Sequence, residues 1–156
     1  MYHATVPVFR HYLTQMGGIV DKAGRAAMSA QIADSLTASQ HFATAAGFTL
    51  RIACPLAGRA LPDLPTALAP RMAVARATLG AMKQSEFDGA ADRIIRHRAG
   101  FTDLEQSAHD FVFLYGLPNF FFHITMGYAS LRAAGLALGK GDFDGFHGYP
   151  ADFRFE

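Results

Sequence analysis

Asn119 and His123 stand four residues apart, a spacing that on a helix places both side chains on one face about one turn from each other. Two histidines at this separation present two donors to a single metal ion in metalloenzyme helices. Here the first position holds an amide, which can ligate a hard cation or orient a water but holds zinc or nickel far more weakly than imidazole does. His41, beside the core-facing Phe42 of an earlier apolar segment, supplies a third nitrogen if the two helices run antiparallel. The cluster His41, Asn119 and His123 would then be a catalytic-type centre, with open positions where zinc, nickel or iron activates a water or a thiol. The plainer reading makes Asn119 a cap of a restarted helix and His123 a satisfied core or pocket histidine.

Other residues carry weaker signals. Cys54 stands among Ile52, Ala53 and Leu56, where a lone cysteine is more often a small hydrophobe than a reactive thiol. His109 and Asp110 are neighbours on a helix and diverge by about 100°, so they do not make a catalytic dyad. Met16, Met72, Met82 and Met126 read as core filler suited to an adaptable apolar pocket. The run Arg93, Arg96, Arg98 would grip a carboxylate or phosphate, or form a solvated edge. No phosphate-binding Gly-rich loop, serine nucleophile elbow or dinucleotide fingerprint is present, and no residue takes a catalytic role from sequence.

These residues must be positioned by four apolar-periodic segments, each closer to a helical than to a strand period. The first places Phe9, Tyr12, Leu13, Met16 and Val20 on one face, with Pro7 near its start and Gly24 near its end. The second takes Asp34 as N-cap and aligns Ala38, Phe42, Ala45, Thr49 and Ile52 until Pro55 and Gly58. The third sets Leu68, Met72, Ala75, Leu79 and Met82 along a seam, and Pro70 requires it to start between Thr66 and Pro70. A short hairpin or an irregular loop follows around Ile94, Ile95 and Phe101, after a turn at Phe87, Asp88 and Gly89. The fourth starts near Ser107, is interrupted around Gly116, Leu117 and Pro118, and runs to about Ala134, with Gly135 as its stop. Its stretch from Phe111 to Leu131 carries no formal charge, the pattern of a central helix in a bundle. Polar and helix-disturbing groups at Pro118, Asn119, His123, Thr125 and Ser130 argue against a membrane span there. The Gly- and Pro-rich residues from about 140 to 156 read as an irregular surface tail.

The chain has 156 residues, 51% of them hydrophobic and 17% charged, which fits one globular domain over 1–156 and excludes disorder. Fourteen basic and 13 acidic residues leave a formal charge of +1, so no single-sign field argues for nucleic acid or an anionic membrane as partner. One cysteine fits a reducing compartment, and His3, Arg10 and His11 interrupt any export signal, so a cytoplasmic location is expected.

The opening MYHATVPVFRHYL, the segment FDGAADR and above all LPNFFFHITMGYASLRAAGLALGKGDF resemble a bacterial domain-of-unknown-function family numbered nineteen ninety-three, a branch of the DinB/YfiT-like helical-bundle superfamily. The resemblance covers almost the whole chain. It implies an all-α, DinB-like four-helix bundle with a short hairpin or loop insert before the last helix, and a homodimer. Better-characterised superfamily members carry a three-histidine metal centre, and some are similar to thiol transferases and isomerases. By that resemblance His123 matches the final histidine, His41 lies near the second-helix ligand, and Asn119 departs from the pattern.

Three functions are open. The first is small-molecule binding in an apolar inter-helix pocket at a degenerate metal-site position, through Asn119, Phe122, His123 and Met126 with Phe120 and Phe121 as walls. The second is a metal-dependent transferase or hydrolase, in which His41 and His123 hold a divalent metal and Asn119 orients a water. The third is a protein-interaction module in which neither histidine acts.

Overall fold

In the computed structural model, residues 1–150 and 153 are described. They form a mostly helical chain with one two-stranded sheet. Helix α1 (Tyr2–Ala27) buries Val6, Phe9, Leu13, Met16 and Ile19 at spacings of three and four, while the expected Tyr12 and Val20 are only half-buried. Pro7 lies one turn further into α1 than expected, with its ring exposed, and the helix kinks at Gly24.

Helix α2 (Ala38–Leu56) is capped by Thr37, not Asp34. Thr37 Oγ1 accepts from the Gln40 amide at 3.3 Å while Gln40 Oε1 accepts from the Thr37 amide at 2.9 Å. Asp34 has no Glu or Gln three residues on, so it cannot form this reciprocal box. The preceding loop also satisfies the next free amides, Ala38 to the Ala30 carbonyl at 2.7 Å and Ser39 to the Met28 carbonyl at 3.0 Å.

Fourteen of the 19 residues of α2 are buried, which makes α2 the central helix in place of the expected fourth segment. Its alanines and Gly47 allow neighbours to approach on several sides, whereas the fourth segment leaves Leu114 69% and Phe122 54% exposed. Helix α3 (Leu68–Gly80) starts after Ala67 with Pro70 in its first turn, and buries Met72, Ala75 and Leu79; Met82 is buried just past its end.

Strands β1 (Ile94–Ala99) and β2 (Thr102–Ser107) form an antiparallel hairpin in register from Ile94 opposite Ser107 to Ala99 opposite Thr102. The two-residue turn uses Gly100 at φ 60°, a value glycine adopts without a Cβ clash. Ser107 then caps the helical turn α4 (Ala108–Asp110), accepting from the Asp110 amide.

A π-helical segment, Phe111–Gly116, leads into α5 (Leu117–Ala133). Here the Leu117 amide reaches the Val112 carbonyl, one residue beyond the α-helical partner, and Pro118 supplies no amide to restore the tighter ladder. Helices α2 and α5 pack so closely that a Cβ on Gly127 would lie 2.6 Å from the Phe42 ring.

The tail expected to be irregular from about 140 instead forms a short helix, α6 (Lys140–Asp144), packed on α1. Burial of Leu138 and Asp144 holds it there, with Lys22 paired to Asp142 and His11 Nε2 2.7 Å from the Asp144 carbonyl. The last part of that tail, residues 151, 152 and 154–156, lies outside the described residues. Among the described residues, no helix is long and apolar enough to cross a membrane.

Candidate functional site

The contact between α2 and α5 brings His41 and His123 together, with their Nδ1 atoms 3.0 Å apart. His41 sits in the first turn of α2, fully enclosed at 2% exposure; His123 lies in the middle of α5, partly enclosed. The Phe48 ring stacks on His123 at 5.7 Å and 26°, and Phe122 stands edge-on to both imidazoles, 6.1 Å from His41 and 5.2 Å from His123. Burial lowers the pKa of both histidines, and the charge His41 would carry depresses His123 further, to about 4.

Both rings are therefore neutral at pH 7, and one ring's N–H donates to the other's lone pair. His41 Nε2 is buried without a partner. An orphaned lone pair costs less than an orphaned N–H, so the favoured tautomers place the shared proton on His41 Nδ1. His123 Nε2 then carries a proton and is the pair's remaining hydrogen-bond donor.

Asn119 does not join the pair. Its Nδ2 donates to the Tyr115 carbonyl at 2.7 Å, where the π segment gives way to α5, and the N-cap position belongs to Gly116. Among the described residues no group of three His, Cys, Asp or Glu side chains converges to hold a metal ion. Two imidazole nitrogens fall short of the three protein ligands of a catalytic zinc centre.

The remaining candidates fall into place simply. Cys54 is fully buried, and burial pushes its thiol up, which keeps it unreactive. His109 Nδ1 comes to 3.3 Å from Asp110 Oδ1, closer than two neighbours diverging by about 100° on a helix would stand, but on the solvated surface. Met16, Met72 and Met82 are core, and Met126 is half-buried. The arginine run divides: Arg93 Nη1 donates to the Pro55 and Leu56 carbonyls at the end of α2, Arg96 pairs with Glu105, and Arg98 approaches Asp103 only to 3.8 Å.

Sequence reasoning missed Phe48, Tyr115 and His97. Phe48 is seven residues from His41 and Tyr115 eight from His123, two helical turns in each case, and that periodicity was the available signal. His97 had none, because the hairpin alone folds it onto the π segment. Its ring packs 4.3 Å from Tyr115 and 4.9 Å from Phe111, and its Nε2 donates to Gln106 Oε1 at 2.7 Å. Phe48, Tyr115, Phe111 and His97 also line a cleft of about 610 Å³ between α2, the π segment and the hairpin; Asn119, Phe122, His123 and Met126 do not line it.

This mostly helical chain with a small two-stranded antiparallel insert has a DinB-like fold. Its structure resembles the crystal structure of a DinB family member protein from Shewanella denitrificans, with a TM-score of 0.83, over 96% of this chain and 94% of that one. At 24% identity the likeness concerns the fold. The chain itself belongs to the family described as Domain of unknown function (DUF1993), whose model matches residues 1–144. No curated protein matches the chain.

Proposed function

We propose that this DinB-like four-helix bundle binds a small molecule in an apolar inter-helix site, at the position of a degenerate metal centre, with His123 as its polar anchor. The observation that carries this reading is the 3.0 Å contact between the Nδ1 atoms of His41 and His123, which no third His, Cys, Asp or Glu among the described residues joins as a metal-binding group. A neutral imidazole held in one tautomer, beside Phe122 and with Met126 near in sequence on α5, combines one fixed donor with apolar surface, the usual make-up of a ligand site. The reading includes a homodimer in the cytoplasm, with no nucleic-acid or membrane partner.

The metal-dependent transferase or hydrolase is the second reading, favoured by two nitrogens at a separation that one ion could bridge. It needs a donor from outside the pair. Elemental analysis of protein purified without an affinity tag, followed by zinc titration of wild type and His123→Ala, separates the two. The binding reading expects no stoichiometric metal and identical titrations, with neutral apolar fragments shifting the His123 and Met126 NMR signals in wild type. Stoichiometric metal that is lost in His123→Ala overturns it in favour of the enzyme.

A further inference from the structure

We infer that the cleft between α2, the π segment and the hairpin is a second ligand site, separate from His123, that takes a small aromatic carboxylate. Its floor is Phe48, Ile52, Phe111 and Tyr115, and its volume of about 610 Å³ lies in the range of small-molecule pockets. The polar part of its lining is one-sided. Three arginines, Arg51, Arg59 and Arg98, line the cleft and, among the described residues, no acidic side chain does, although the whole chain carries a formal charge of only +1.

The three guanidiniums are not equivalent. Arg59 is neutralised by Glu86 through two bonds of 2.7 and 2.9 Å, and its Nη2 also donates to the Ala81 carbonyl. Arg98 approaches Asp103 only to 3.8 Å, with both side chains largely exposed, a pairing too weak in water to hold it. Among the described residues no ion pair holds Arg51; its guanidinium carbon stands 5.8 Å from the Phe48 ring centre. Two cations with unused donors thus stand at the mouth of an aromatic floor. The matching ligand has a flat apolar body for the rings and a carboxylate for a forked guanidinium.

Phe48 touches both His123 and the cleft, yet the cleft's arginines lie outside the histidine pair, which lets the two sites be tested separately. The probe is 2-naphthoate, titrated by calorimetry against 2-naphthamide, its uncharged counterpart. Expected is saturable naphthoate binding that weakens with added salt, with the amide binding about tenfold less tightly or worse. The double variant Arg51→Gln/Arg98→Gln should lose about tenfold in naphthoate affinity while leaving the amide unchanged; both residues are exposed, and an unaltered melting curve confirms that it folds. His123→Ala should leave naphthoate binding intact. Absence of saturable binding, equal affinity for acid and amide, or retention of naphthoate affinity by the arginine variant would overturn the assignment. So would loss of naphthoate binding in His123→Ala, since the ligand would then belong to the histidine pair.

Discussion

Two parts of the molecule use histidine in opposite ways. Between α2 and α5, His41 and His123 meet each other, with no carboxylate among the described residues completing a metal-binding group, and burial keeps both neutral. Beyond α6, His147 Nδ1 meets the Asp144 carboxylate, whose Oδ1 also accepts from the amides of Phe146 and His147 at 2.9 and 3.1 Å. Burial works to raise the Asp144 pKa, but the amide bonds and the His147 contact outweigh it and hold the carboxyl below its ordinary range. One region excludes charge; in the other a carboxylate gathers the amides and the imidazole of the turn that follows α6.

The largest expected effect comes from disturbing the uncharged seam. Gly127→Ala drives a methyl into the Phe42 ring, where the added Cβ would meet carbons at 2.6 to 2.9 Å, and should cost about 1–3 kcal/mol in urea unfolding. An unchanged midpoint would show that the ring has room to move.

Acid comes next and separates the two regions by pH. The folded His123 pKa, about 4, lies below its unfolded 6.5, so the unfolded chain binds more protons between those values. Stability is fully present above pH 6.5 and declines as pH falls toward 4, by about 2 kcal/mol once partial exposure is allowed for. Asp144 acts lower on the scale: its contribution is present above the ordinary value of 3.8 and is lost as pH falls through its depressed folded value. Melting temperatures measured against pH should show two separate losses.

Replacing the histidines sharpens the same point. His41→Leu alone should cost about 1 kcal/mol, because it strands the His123 nitrogen. The double variant His41→Leu/His123→Leu should recover that loss and remove the decline between pH 6.5 and 4. A double-mutant cycle on unfolding free energies measures the coupling, and additive losses would contradict the contact. Lys22→Ala, which breaks an exposed ion pair between α1 and α6, should cost only about 0.5 kcal/mol by the same unfolding assay.

Helices were legible where burial follows a local period. Phe42, Ala45, Thr49 and Ile52 on α2, and Met72, Ala75 and Leu79 on α3, are buried as their spacing predicts. Helix ends were less so, because Thr37 outcompetes Asp34 only through its reciprocal contact with Gln40 and the loop carbonyls that meet the first amides. The tail misled because Gly and Pro content speaks to local propensity, whereas α6 is held by Leu138, Asp144 and the surface of α1.

The candidate site divides along the same line. Residue types and a four-residue spacing, both local properties of the chain, were enough to single out His41, Asn119 and His123. Which of them meet depended on how α2 packs against α5, 82 positions apart in sequence, and on the Tyr115 carbonyl that holds the Asn119 amide. Local periodicity sets the face a side chain occupies; only the packing of distant segments sets what stands opposite it. For the same reason Arg51 and Arg98, which no local pattern links, became neighbours on one cleft only once the hairpin had folded against α2 and the π segment.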